Sequence, residues 1–158
     1  MGANTTEELI EKYPKIFKDY EGNPGRVNWL DLPKGWVPII DKLCGCIQFY
    51  VDHHTKYTKE GPIKPEQVEC FQMKEKFGGL RFYTNGHDNV VEGMITMAEY
   101  ICDHTCDQCG SEEDLGTTSG WITIKCRNCV IGHGDIAMSN WTSHSDALKL
   151  KGNEDSSI

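Results

Sequence analysis

Two C-x-x-C pairs, Cys106-Asp-Gln-Cys109 and Cys126-Arg-Asn-Cys129, stand on either side of residues 110–125. Each pair sets two sulfurs on one tight turn, and four thiolates presented in this way converge on a single tetrahedral ion, for which zinc is the usual occupant. Gly110, directly after the first pair, supplies the permissive backbone a knuckle needs once its amides turn toward sulfur. The reading is one structural Zn2+ held by Cys106, Cys109, Cys126 and Cys129. Four thiolates close the coordination sphere, so the metal is a staple rather than a catalyst. Two disulfides or a redox dithiol are the competing readings of the same residues.

The rest of the chain bounds what the staple serves. Its 158 residues, 38% of them apolar, suffice for one domain with a real core and a small metal-held lobe. The 24 acidic against 16 basic side chains give a formal charge of -8. That field opposes a polyanion, which disfavours nonspecific nucleic-acid binding. No apolar run approaches the ~20 residues of a membrane span, and the N-terminus has neither the basic nor the apolar segment of a signal peptide. The expectation is a cytoplasmic protein without a membrane partner. Thiols stay reduced in that compartment, which favours metal over a disulfide framework for the eight cysteines.

Thr5-Thr6-Glu7-Glu8 has capping-box spacing and predicts a short helix that stops at Pro14. Residues 21–34 read as a loop carrying Trp29 and Leu30. From Trp36, the series Ile40, Leu43, Cys44, Ile47, Tyr50 and Val51 recurs at helical spacing, predicting the main core helix. Residues 54–65 read as a connection. Alternation over 67–77 places Phe71, Met73 and Phe77 on one side and Val68, Cys70 and Gln72 on the other. It resumes over 80–84, predicting a β-hairpin through Gly78-Gly79, in which Glu75 and Arg81 would form a cross-strand ion pair if the register sets them opposite each other. Asp88 or Asn89 then caps a second helix bearing Val91, Met94, Ile95, Ala98, Ile101 and Cys102. Residues 120–125 read as a strand entering the second knuckle. The predicted architecture is α+β: two main helices over a small antiparallel sheet (core 1–104), a zinc ribbon or treble clef (105–131), and a C-terminal extension (132–158) ending in a polar tail.

The block Met73-Lys-Glu-Lys-Phe-Gly-Gly-Leu-Arg-Phe-Tyr83, followed by a helix, the first knuckle and Gly120-Trp121-Ile122, resembles small, functionally uncharacterised proteins of tailed phages and prophages. Tyr13-Pro14-Lys15-Ile16-Phe17 and Gly35-Trp36 are similar to their Y-P-x-x-F and helix-opening glycine-tryptophan. The resemblance spans roughly residues 10–130 and implies a phage accessory gene with no established reaction.

Such an origin implies a protein that binds and modulates a host factor, in host takeover or anti-defence, without turning over a substrate. The expected partner is a host protein in the host cytoplasm. Lys74, Lys76, Arg81 and Tyr83 are the expected contact residues, because a hairpin alone would be satisfied by its glycines, Phe77, Leu80 and Phe82. Tyr57, Trp29 and Trp141 read as further exposed anchors. The alternative is nucleic-acid binding through the metal lobe, with Lys74, Lys76, Arg81, Lys125 and Arg127 as a basic strip interleaved with carboxylates. An HNH-type nuclease needs a histidine between its knuckles, and residues 110–125 contain none. No histidine spacing matches H-E-x-x-H or a triad, and Phe77-Gly78-Gly79-Leu80-Arg81 lacks the rest of a Walker motif. His104, His133 and Cys102 are the reserve metal ligands.

Overall fold

The computed structural model describes residues 2–18, 32–134 and 136–148. Trp29, Leu30 and the polar tail lie outside the described residues.

The first helix, α1 (Thr6–Lys12), starts where the Thr5 hydroxyl accepts from the Glu8 amide at 3.2 Å. Glu8 reaches back to the Asn4 amide at 2.7 Å, one residue before the position a reciprocal capping box would use. After Pro14 the chain turns into the core, burying Ile16 and Phe17, and the Ile16 carbonyl accepts from the Cys70 amide at 2.7 Å.

A 3-10 turn at Lys34–Trp36 leads into α2 (Val37–His53), where Pro38 sits in the first turn and its missing N–H leaves no intrahelical bond unmade. The predicted stripe is the buried one: Ile40, Leu43, Cys44, Ile47, Tyr50 and Val51. On the polar side Asp41 is buried, with Lys12 Nζ at 2.7 Å and the Tyr13 hydroxyl at 2.9 Å, which ties α1 to α2.

Residues 54–65 are more than a connection. They form a hairpin of β1 (Lys56–Thr58) and β2 (Gly61–Ile63), closed when the Thr58 hydroxyl donates to the Gly61 carbonyl at 2.9 Å and accepts from the Glu60 amide. Side-chain turn chemistry and Gly61 at φ +125° build it, so hydrophobic alternation gives no warning of it.

The predicted long hairpin is β3 (Glu69–Lys76) and β4 (Gly79–Asn85). Its turn is one residue earlier than expected: Phe77 at φ +53° and Gly78 at φ +79° take the two positive-φ positions, and Gly79 joins the strand. A bulge between Cys70 and Gln72 resets the alternation, so Cys70 and Met73 both face the core while Phe77 is 74% exposed. The expected grouping of Phe77 with Met73 is therefore wrong.

Helix α3 (Asn89–Asp103) opens with Asp88 accepting from the Val90 and Val91 amides at 3.1 Å each, as the sequence predicts. Tyr50 and Lys56 hold the other oxygen of that cap. Val91, Ile95, Ala98 and Cys102 pack against α2 and β4.

Beyond the first knuckle come β5 (Leu115–Thr118), β6 (Ile124–Cys126) and α4 (Arg127–His133), which ends at Gly134 in the left-handed region. The strand expected over 120–125 is confined to Ile124–Cys126, because Thr118 ties residues 121–123 into a turn: its hydroxyl meets the Trp121 carbonyl at 2.6 Å and the Thr123 amide at 2.9 Å. The C-terminal extension supplies β7 (Trp141–Ser143), which pairs with β5 to make a sheet of order β6-β5-β7.

Trp141 corrects an expectation, since it is buried rather than an exposed anchor. Its ring packs against Gly116, where an added Cβ would stand 2.6 Å from Cζ2, and its Nε1 donates to the Lys125 carbonyl at 3.0 Å. Arg127 covers the same ring at 4.8 Å. The fold is thus α+β, with two main helices and small antiparallel sheets. No helix among the described residues is long and apolar enough to cross a membrane.

Candidate metal centre

The four predicted sulfurs come together. Those of Cys106, Cys109, Cys126 and Cys129 all lie within 4.8 Å of one another, with Cys109 and Cys126 3.7 Å apart and no disulfide among them. A disulfide needs an S–S distance of about 2.05 Å. Four sulfurs about 2.3 Å from one tetrahedral ion stand about 3.8 Å from each other, so sulfurs gathered this closely could share one ion.

Local backbone chemistry sets each pair. At the first knuckle the Gly110 amide donates to the Cys106 carbonyl at 2.9 Å, and Gly110 takes φ +78°, where a side chain would be strained. The Cys106 amide donates to the Ser111 carbonyl at 2.7 Å, and the Asp107 amide to the Ile124 carbonyl at 2.9 Å, which locks the knuckle to β6. The second pair straddles a strand-to-helix junction: Cys126 ends β6 and caps α4, placing Cys129 in its first turn. Asp114 at φ +48° steers the chain into β5, and its carboxylate accepts from Arg127 at 2.7 Å while its carbonyl accepts from the Arg127 amide.

Electrostatics separate three of these thiols. Burial pushes the Cys106 thiol up, but the amides of Cys126, Cys109 and Gln108 oppose this and hold it below its ordinary value. Cys126 and Cys129 are raised, by burial first, with the sulfurs of Cys109 and Cys106 adding to it. Negative charge on adjacent sulfurs is repulsive, and a bound cation would relieve it. Three of the four remaining cysteines differ in kind, Cys46 being exposed. Cys44, Cys70 and Cys102 are buried in the apolar core and burial raises all three, Cys102 to about 12, which keeps them protonated.

Of the reserve ligands, neither Cys102 nor His104 joins the cluster. Cys102 belongs to the main core, and the His104 ring is engaged with the Tyr100 carbonyl at 2.8 Å. The side chain of His133 lies outside the described residues. His53, His87 and His144 are likewise hydrogen-bonded, to the Phe49 carbonyl, Thr84 and Thr117, and His54 stacks on Tyr50 at 4.7 Å.

The four expected contact residues lie on one side of the long hairpin. The register sets Lys74 opposite Arg81 and Gln72 opposite Tyr83, on the face away from Met73 and Phe82, with Lys76 two residues further on. Tyr83 carries Lys74 Nζ over its ring at 5.6 Å. None of the three cations forms an ion pair among the described residues. The Glu75–Arg81 pair does not form: Glu75 sits opposite Leu80 and accepts from the Gly78 amide at 2.6 Å, while Arg81 donates to the Leu80 carbonyl. Positions of opposite parity face opposite sides of a hairpin.

Sequence reasoning missed two neighbours of this face, Phe77 at the hairpin tip and Trp121, 79% exposed, in the β5–β6 turn. The tips touch, since Gly78 packs against Ile122 and Ile124. Aromatic residues beside turn glycines, as in Phe77-Gly78 and Gly120-Trp121, were the available signal.

Comparison with protein-family models, with curated proteins and with solved structures returns no match for this chain.

Proposed function

We propose that this chain is a zinc-stabilised phage accessory protein that binds and modulates a host factor, a host protein in the host cytoplasm, without catalysis. The order knuckle, β-hairpin, helix is that of a treble clef, and a Zn2+ on its four thiolates is a purely structural staple. The observation that carries the binding role is the single face bearing Lys74, Lys76, Arg81 and Tyr83, whose cations have no carboxylate partner among the described residues. Arg and Tyr at the centre of a contact are the residue types that carry most binding energy. The phage setting rests on the resemblance of the Lys74–Tyr83 block. An affinity capture from host lysate, read by mass spectrometry with and without nuclease, tests the role: a specific protein retained after nuclease supports it.

The same unpaired cations favour one second reading, nucleic-acid binding. Capture that disappears with nuclease, and affinity that falls steeply with salt, would select it.

A further inference from the structure

Helix α3 carries two apolar seams. Val91, Ile95, Ala98 and Cys102 face the core, and one position away Val90, Met94, Met97 and Ile101 repeat the same four-three-four spacing. Most of the second seam stays in solvent: Val90 is 48% exposed, Met97 61% and Ile101 37%, while Met94 packs partly against the core. An apolar stripe at this spacing is what one helix presents to another across a coiled-coil-like contact. Beside it a groove of about 390 Å³ runs between α2 and α3, with Ile39, Leu43 and Cys46 on one wall and Met97 and Ile101 on the other.

Gly93 lies on this stripe, three residues after Val90 and four before Met97. A glycine inside a helix costs roughly 0.5–1 kcal/mol relative to alanine. Among the described residues nothing accounts for it, because a Cβ at Gly93 would meet no atom within 4 Å. A bare backbone on the flank of an exposed apolar stripe is where a second helix can cross closely.

We infer that this face is a homodimer interface in which α3 crosses α3 of a second copy near Gly93, with Met97 and Ile101 of each copy entering the groove of the other. Two features select a second copy over a foreign helix. The same patch offers both the projecting side chains and the groove that receives them, which a two-fold contact requires. It also carries one cation and one anion at the groove, Lys42 and Glu112, neither in an ion pair among the described residues, so Lys42 of one copy meets Glu112 of the other. The contact uses none of the hairpin residues of the proposed function.

Sedimentation equilibrium of the metal-loaded protein from about 1 to 200 µM tests this, with dimerisation expected in the micromolar range. Met97→Glu, at an exposed position, should weaken the dimer at least about tenfold with the thermal melt and metal content unchanged. Lys42→Glu should weaken it several-fold, and adding Glu112→Lys should restore it. A wild-type protein that stays monomeric at about 200 µM, a dimer indifferent to Met97→Glu, or a charge swap that fails to restore association would each overturn the proposal. So would a monomer whose groove accepts only a foreign amphipathic helix.

Discussion

The amide of Gly35 donates to the carbonyl of Asp107 at 2.8 Å, joining the turn that opens the longest helix to the residue beside the first metal-site cysteine. No side chain fits between them. A Cβ on Gly35 would overlap the Cys106 carbonyl and stand 2.6 Å from the Gly110 nitrogen, both rigid backbone. Asp107 is itself buried, with Lys125 Nζ at 2.6 Å, so knuckle, β6 and the start of α2 hold one another in place.

Gly35→Ala should therefore undock the metal lobe. Overpacking against backbone costs about 1–3 kcal/mol, and the cost falls on the junction. Hydrogen exchange should rise over residues 105–134 and 34–38 together, while the centre of α2 stays protected. Unchanged exchange at the junction would show that the glycine is not needed there.

Purified protein should contain one zinc per chain by metal analysis, with all four thiols protected from alkylation until the metal is removed. Well below one equivalent, with the thiols free, would contradict the assignment.

Cys106→Ser or Cys126→Ser should loosen the lobe and leave the helix-hairpin core largely folded, because in so small a unit metal-binding energy is folding energy. Loss of near-ultraviolet signal from Trp121 and Trp141 with retained helical circular dichroism is the expected signature.

Asp41 contributes a pH-dependent share of stability. Burial pushes its carboxyl up, but Lys12 and Tyr13 outweigh this and hold it below its ordinary value. A depressed carboxylate stabilises fully above its unfolded value of about 3.9, and the contribution disappears as pH falls through the lower folded value. Asp41→Asn should cost about 1–3 kcal/mol at pH 7, and the gap to wild type should close below about pH 4. A gap that persists unchanged at pH 3 would assign the loss to packing.

Arg81→Ala and Tyr83→Ala should each weaken partner capture at least about thirtyfold, corresponding to ~2 kcal/mol for a central anchor, without changing melting temperature or metal content. Normal capture by both would move the contact elsewhere; unfolding would place the residues in the core.

The sequence alone determined the features that repeat at short range. The two halves of the cysteine cluster follow from two C-x-x-C pairs, the long helices from stripes such as Ile40, Leu43, Cys44 and Ile47, and the α3 cap from Asp88, because each depends on residues within four of one another. Tertiary structure decided what depends on distant partners. Trp141 looked like a free anchor until Gly116, on a strand paired through β7, offered a surface without a side chain. The bulge at Cys70–Gln72 and the one-residue shift of the turn to Phe77-Gly78 reversed expected faces, because alternation carries no record of where one residue is added. Gly35 belongs with them: its spacing fits a helix start, but the reason it must be glycine is a knuckle that begins at Cys106.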